Sequence, residues 1–357
     1  KDAGKVLQMA GLEAQQGKLG ALTLKGTASG TPTDLAFDVN AGMAGIGFQG
    51  AAKGTASGIG AGIPKVNSTF DIKAKDLGPL ATLAGKDGAA AKQLGAVSLT
   101  GLAQSGADDL TFDVALGMAN VGGKGAIQGK ITGLSATPQI DAQLNLTADK
   151  PAPILQLAGL AGPKAQSVGK LDVAGTLKGS AEDMNLDLNI AGLGGQAKVA
   201  GNVQVPKAAD PNNPPPIGFN VVLQADHPEF TQLLKMADMQ SSGVKAGPLR
   251  ASLKAQGNTQ KASVSDLNAA WGNSTISGNV DYDATSGRPF IKANLSGGVV
   301  NLTPFMGGGN KDAASGGSSG GGGKGGSPWS EEPLNTEALK AQDADIDFKA
   351  QSLVMPD

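Results

Sequence analysis

Cysteine is absent from the chain, and histidine, tyrosine and tryptophan nearly so: one His, one Tyr and two Trp in 357 residues. Without cysteine there is no disulfide and no thiolate metal site. The lack leaves the compartment open, because many exported bacterial proteins have no cysteine either. A lone histidine, His227, removes most hydrolytic and metal chemistry, which draws on several such groups together. No run of about 18 apolar residues occurs, so no stretch reads as a membrane-spanning helix. There is no basic stripe, and the net charge is −2. Nucleic acid is therefore excluded as a partner, since phosphate binding needs clustered Lys and Arg. Aromatic residues make up 3% of the chain while apolar residues reach 40%, alongside 55 glycines. Ala, Leu and Val must then supply the buried surface, which suits thin walls better than a deep aromatic core.

What the sequence does have is internal repetition, the property to settle before any other. Ala148–Gly162 reads ADKPAPILQLAGLAG, Ala74–Gly85 reads AKDLGPLATLAG, and Ala225–Ala237 reads ADHPEFTQLLKMA. Asn301–Gly307 (NLTPFMG) is a worn copy. Lys5–Leu12 (KVLQMAGL) reads as the tail of another that began before residue 1. These are short apolar segments, most with a Pro near the start, where a missing N–H costs nothing in the first helical turn. Each follows a run of alternating apolar and polar residues. Repeat arrays grow lengthwise instead of enclosing a larger core, so length does not set the domain count here.

The organisation that follows is the end of a preceding repeat (1–16), repeat 1 (17–93), repeat 2 (94–167), repeat 3 (168–243) and a diverged repeat 4 (244–306). In repeat 1, Leu22 and Leu24 alternate with Thr23 and Lys25, and Leu35, Phe37 and Val39 with Ala36 and Asp38. Ile46 and Phe48 share the same spacing, and Val66, Phe70 and Ile72 alternate with polar neighbours. Period-two alternation bounded by Gly, Pro, Asn and Asp marks half-buried antiparallel strands. About 75 residues on, LGAVSLTG (Leu94–Gly101) answers LGALTLKG (Leu19–Gly26), and DDLTFDVALGMA (Asp108–Ala119) answers TDLAFDVNAGMA (Thr33–Ala44). Ile140, Leu144 and Leu146 close repeat 2. Repeat 3 has Leu186, Leu188 and Ile190, then Val199, Val203 and Val205, then Phe219, Val221 and Leu223 after a proline-rich excursion at Ala209–Gly218. Repeat 4 keeps Ile276, Val280, Tyr282, Ile291 and Leu295.

A Gly/Ser-rich linker (307–328) has no apolar periodicity. Structure resumes over 329–357 with a short helix and a strand at Ala344–Leu353 that has no evident partner. The expected fold class is mainly β: an elongated, curved antiparallel β-sheet or groove, built from ~75-residue repeats of four strands plus a short helix. About sixteen strands at ~4.8 Å spacing give a sheet roughly 75 Å long, and twisted sheets of that size curl. One face is apolar throughout, and the helices are too few to cover it.

The segment WSEEPLNTEALKAQDADIDFKAQSL (Trp329–Leu353), after a Gly/Ser-rich linker and before an alternating strand, resembles the C-terminal region of AsmA-like proteins. Trp329, Pro333, Leu334, Leu339, Asp343, Ala344 and Asp345 carry the match, and the upstream repeats with their ADxP helices are similar to the family's middle region. AsmA-like proteins are related to TamB, YhdP and the bridge-like lipid transfer proteins. The resemblance implies a Gram-negative periplasmic protein, held in the inner membrane by an N-terminal helix not present in this sequence. It further implies phospholipids as cargo, outer-membrane biogenesis as the process and an outer-membrane partner.

Such a groove needs no catalytic residue and no cofactor, so the chain does not read as an enzyme. It needs a continuous apolar wall, and the candidates are Leu35, Phe37, Phe70, Ile72, Phe112, Val114, Leu144, Leu146, Leu188, Ile190, Val221 and Leu223. The plainer alternative is that these residues pack on each other or on the helices. GGGGKGGS (Gly320–Ser327) lacks the Ser or Thr that follows the lysine of a phosphate loop. Gly42, Gly45, Gly47, Gly58 and Gly60 read as turns, not as a dinucleotide fingerprint. Asp343, Asp345 and Asp347 read as a solvated strand face, not a calcium site. His227 reads as a surface or capping residue, and Trp271 and Trp329 as local packing anchors. The competing functional class is a cell-surface β-repeat adhesin or scaffold without lipid.

Overall fold

The computed structural model describes residues 20–60, 63–83, 87–157, 169–192, 194–206, 215–236, 246–286, 288–303 and 343–355. Residues 1–16, the linker at 307–328, Trp329 and most of the proline-rich excursion lie outside them. The chain divides into two units, one running to Asp226 and the other from His227, with a short exchange at 236–238.

The first unit is a succession of twelve strands: β1 (Leu22–Gly30), β2 (Asp34–Met43), β3 (Phe48–Ser57), β4 (Lys65–Ala74), β5 (Val97–Ser105), β6 (Asp109–Met118), β7 (Gly123–Thr132), β8 (Gln139–Ala148), β9 (Leu171–Gly179), β10 (Asp183–Gly192), β11 (Gly195–Gln204) and β12 (Gly218–His227). Each pairs antiparallel with the next. Short turns enforce this order. Thr31, Gly106 and Ser180 donate their N–H groups to the carbonyls of Asp34, Asp109 and Asp183 (2.9, 2.8 and 2.9 Å), the same closure at the start of β2, β6 and β10.

Glycines lie at the middle of alternate strands. At Gly101 a Cβ would stand 2.3 Å from the Asp113 carbonyl oxygen, and at Gly175 it would stand 2.0 Å from that of Asp187. Only glycine admits so close an approach of the neighbouring backbone, and mid-strand glycines are a recognised means of curving a sheet. Large residues flank the gaps: Phe70 and Val114 pair with Gly101, and Leu144 and Leu188 with Gly175.

Among the described residues, three short α-helices belong to this unit: α1 (Gly78–Leu83), α2 (Gly88–Gln93) and α3 (Ala152–Leu157). The repeat motif leads one to expect a single helix after β4. A second forms because Asp87 caps it, its carboxylate accepting from the N–H groups of Ala89 (2.8 Å) and Ala90 (3.1 Å). Ile46 is not on a strand, as its spacing from Phe48 suggests. It sits in a 3-10 turn (Ala44–Ile46) and is 1% exposed, like Val121 in the corresponding turn of the next repeat. The carbonyls of these two residues accept from Asp76 (3.4 Å) and Asp149 (3.0 Å), which fixes each helix entrance beneath the strand ends. Leu80 then packs on Ile46, and Ile154 and Leu157 pack on the Leu94, Met118 and Val121 cluster. The helices thus cover one end of the strands.

The second unit holds α4 (Phe230–Met236), β13 (Leu249–Asn258), β14 (Lys261–Trp271), β15 (Ser274–Asp283), β16 (Phe290–Asn301) and β17 (Asp343–Val354). β13 to β16 pair antiparallel in sequence. The expectation of an unpartnered last strand fails: β17 pairs with β16, and in parallel, from Phe290 opposite Asp343 to Asn301 opposite Val354. Parallel neighbours need a long crossover, and the chain between Asn301 and Asp343 is long enough to supply one.

The divergence of this repeat has a physical cause. β14 carries a bulge between Val264 and Leu267, and Asp266 there takes φ 51°. The extra residue brings Ala262 and Val264 to the same face as Leu267, Ala269 and Trp271, although their sequence parity differs. Trp271 is the centre of this unit's core, with Ala246, Leu249 and Val300. Its ring lies 5.9 Å from that of Phe230, tilted by 50°.

His227 is 4% exposed, so it is buried and not a surface residue. Its Nδ1 accepts from the Glu229 N–H (3.0 Å) at the entrance to α4. The Glu229 carboxylate accepts from the Thr231 hydroxyl (2.8 Å), the Ala246 N–H (3.0 Å) and the Thr231 N–H (3.3 Å), tying the helix to the approach of β13. Burial pushes the Glu229 pKa up, but the bonds from Thr231, Ala246 and Gly247 together outweigh it and hold the value below the ordinary one. A folded pKa below the unfolded one contributes stability that is present above the unfolded value and lost as pH falls through the folded one. Acid titration followed by circular dichroism is expected to show this: Glu229→Gln flattens the loss of stability between about pH 5 and pH 3. An unchanged slope would remove Glu229 from that role.

Candidate functional site

The strand registers bring all twelve candidate residues of the apolar wall to one face of the first unit. One row runs Gly26, Val39, Ala52, Phe70, Gly101, Val114, Ile127, Leu144, Gly175, Leu188, Val199, Leu223, a single position on each strand from β1 to β12. The row on one side contains Phe37, Phe112 and Val221, with Ser68 its one polar member. The row on the other side contains Ile72, Leu146 and Ile190 and has none. Leu35 lies one step further out, opposite Ala56 and Gly30. No charged side chain enters these rows.

Every one of the twelve is half-buried. The most open large side chains of the rows are Leu24, 69% exposed on β1, and Ile127, 41% exposed on β7. Among the described residues, Leu116 and Leu146 at one end of this face pack against the cluster of Leu94, Met118 and Val121.

The opposite face is polar by the same alternation. Asp141 and Lys178 are cross-strand partners and form an ion pair (3.1 Å), and Lys198 reaches Asp187 (3.3 Å). These pairs are solvent-exposed and each contributes at most about 1 kcal/mol. They solubilise the face and make it distinct from the other. A shallow basin of about 460 Å³ crosses it from β8 to β12, bordered by Asn145, Asp172, Asn189, Gln196, Lys198 and Gln224. At the turn end, Lys130 hydrogen-bonds Asp109 and holds its carboxyl below the usual range.

In the second unit, Asp283 is held down at about 2 by the Thr285 hydroxyl, the Thr285 N–H and Lys261. Asp343, Asp345 and Asp347 lie exposed on β17, Asp343 paired with Arg288 (2.9 Å) and Asp347 with Lys349 (3.4 Å). Among the described residues there is no group of three or more potential metal ligands and no helix long and apolar enough to cross a membrane. Gly42 lies within β2, not in a turn, while Gly45 and Gly47 flank Ile46 and Gly58 and Gly60 follow β3.

The candidate wall left out Leu99, Leu116, Ile127, Val173, Leu177, Leu186 and Val199, which share the face with the twelve. Their signal was the 75-residue offset, which sends Leu24 to Leu99. Sequence reasoning also missed the glycines, because an isolated glycine in a strand looks like a turn until its partner strand is known. No protein-family model, no curated protein and no solved structure matches the chain. Its residues define a class nonetheless: a mainly β repeat protein whose sheet keeps one uncharged apolar face and one polar face.

Proposed function

We propose that the chain holds phospholipid acyl chains along this face and serves phospholipid transport between the inner and outer membranes of a Gram-negative envelope. The observation that carries the reading is the row from Gly26 to Leu223, apolar or glycine on every strand. Its span is about 53 Å, and three neighbouring rows at ~6.8 Å widen it to a surface on the order of 1,000 Å². Monomeric proteins rarely leave more than a few hundred Å² of contiguous apolar surface uncovered. An acyl chain laid on it is shielded from water by roughly 0.8 kcal/mol per CH₂. Because the row crosses strands without meeting a charge, a chain can shift along it without a desolvated ion in its path. Headgroups then lie toward the rims.

The resemblance of Trp329–Leu353 to AsmA-like proteins supports the same reading. It alone supports the periplasm, attachment to the inner membrane through a helix outside this sequence, and an outer-membrane partner. Native mass spectrometry with lipid extraction, on the chain purified from a bacterial host, is the test. Co-purifying phospholipid is expected, bound along the first unit. A folded, lipid-free chain that takes up no phospholipid from vesicles would favour a scaffold or adhesin.

A further inference from the structure

Phe290 departs from a rule the strands otherwise keep. Along β16, Ile291, Ala293 and Leu295 pair with Tyr282, Val280 and Gly278 on the apolar side of the second unit. Phe290, Lys292 and Asn294 point the other way and are exposed. Among the described residues, every other aromatic side chain on a strand takes the apolar face of its unit. Phe290 instead stands on the polar face, 39% exposed. The repeat shows that the position does not need an aromatic ring. With the buried alanines Ala142 and Ala293 aligned, Phe290 corresponds to Gln139 on β8, and in the other repeats to Lys65 on β4 and Gly218 on β12.

A lone exposed apolar residue is ordinary, but this one forms the wall of a cavity. The cavity, about 610 Å³, lies over β13 to β16 and is bordered by Gln256, Ser263, Asp281, Lys292 and Phe290, with Lys261 and Asp283 at the turn end. Gln256, Ser263, Asp281 and Lys292 are successive cross-strand partners, and so are Lys261, Asp283 and Phe290. Lys261 is tied to Asp283 (3.1 Å). Among the described residues, the side chains of Gln256, Ser263, Asp281 and Lys292 make no hydrogen bond or ion pair, although Asp281 and Lys292 lie opposite each other. Their counterparts in repeat 2, Lys130 and Asp141, are both ion-paired, to Asp109 and Lys178.

We propose that this cavity is a carbohydrate site, which takes a neutral hexopyranose ring of an oligosaccharide against Phe290. Two charges of each sign line it, Lys261 and Lys292 against Asp281 and Asp283, so neither an anion nor a cation gains from entering. A sugar hydroxyl both donates and accepts, and the free groups supply both: Lys292 donates, Asp281 accepts, and Gln256 and Ser263 do either. The face of the sugar that carries C–H groups lies on the Phe290 ring, whose negative π-face attracts those hydrogens. A few placed polar groups beside an aromatic wall are the usual make-up of a small-molecule site. β14 and β15 are paired on both sides, so they leave no main chain free to hold an extended peptide. Three strand steps, ~14 Å, give room for more than one sugar ring. The inference rests on the second unit and is independent of the lipid reading, which rests on the first.

Saturation-transfer NMR on the whole chain, with maltotriose, cellotriose and chitotriose as probes at millimolar concentration, is the test. Transfer to the ring protons of at least one trisaccharide is expected. Phe290→Ala is expected to weaken that binding at least tenfold, while Phe290→Trp, which keeps an aromatic face, holds it within threefold. Asp281→Ala, at an exposed position that holds no other group, shows the same loss and serves if Phe290→Ala does not fold. Flotation with plain and with glycolipid-bearing vesicles, with and without the trisaccharide, separates a free oligosaccharide from a glycolipid head. No transfer to any of the three sugars, or unchanged affinity in the folded Phe290→Ala chain, would overturn the proposal. Displacement of the sugar by phosphocholine would also overturn it and assign the cavity to a charged headgroup.

Discussion

Leu144→Asp is expected to lower the phospholipid retained by the purified chain at least tenfold, measured as lipid phosphorus per protein. Leu144 lies in the central row, with Ile127 on one side and Gly175 on the other. A carboxylate there keeps its water, so an acyl chain crossing it loses contact on both sides and lies against an ion that cannot be desolvated cheaply. The lost apolar contact costs the fold about 2 kcal/mol, which a thermal melt reads separately. Gln143→Asp, the preceding residue on the polar face, is the control and leaves lipid retention unchanged. Equal loss from both variants would mean that charge, and not the apolar row, governs binding.

The second large effect concerns the glycine gaps. Gly101→Val is expected to destabilise the chain by about 3 kcal/mol, toward the upper end of overpacking costs. The obstacle is main chain: the new Cβ would meet the Asp113 carbonyl oxygen at 2.3 Å and the Phe70 ring at 3.0 Å. Flexible side chains can swing aside, but a paired strand moves only by breaking its ladder. Gly169→Ala, where nothing lies within 4 Å of the added carbon, is expected to change stability by less than about 0.5 kcal/mol. Thermal melts of both variants check this. A Gly101→Val chain as stable as the parent would show that the sheet does not depend on that close approach.

These two positions also mark how far the sequence could be read. Leu144 was legible because Ile140, Leu144 and Leu146 alternate with polar residues in a single strand, and alternation is a local signal. That signal recurs about every 75 residues, so the mainly β class, the four-strand unit and the shared face of the twelve residues all followed from it. Gly101 was not legible. Its role depends on Asp113, which reaches it only across a strand pair, and no local pattern reports that distance. The same limit explains β17, whose alternation was plain but whose parallel partner is set by a long connection. It explains Asp266 as well: one inserted residue changes the parity of β14, and only the partners on both sides reveal that the apolar face is kept. His227 sounded exposed beside Asp226 and Pro228, yet it is buried, its Nδ1 accepting from the N–H of Glu229, whose carboxylate is held in turn by Ala246, 19 residues beyond His227 along the chain.

The most direct test of the lipid reading uses two adjacent residues of β7. Ile127 lies in the central apolar row, 41% exposed, and Gln128 faces the other side. A photo-crosslinking benzoylphenylalanine is placed at each in turn, and the chain is irradiated with vesicles carrying radiolabelled phospholipid. The account predicts a lipid adduct from position 127 and none above background from position 128. No adduct from either position, or equal adducts from both, would contradict a lipid-holding face.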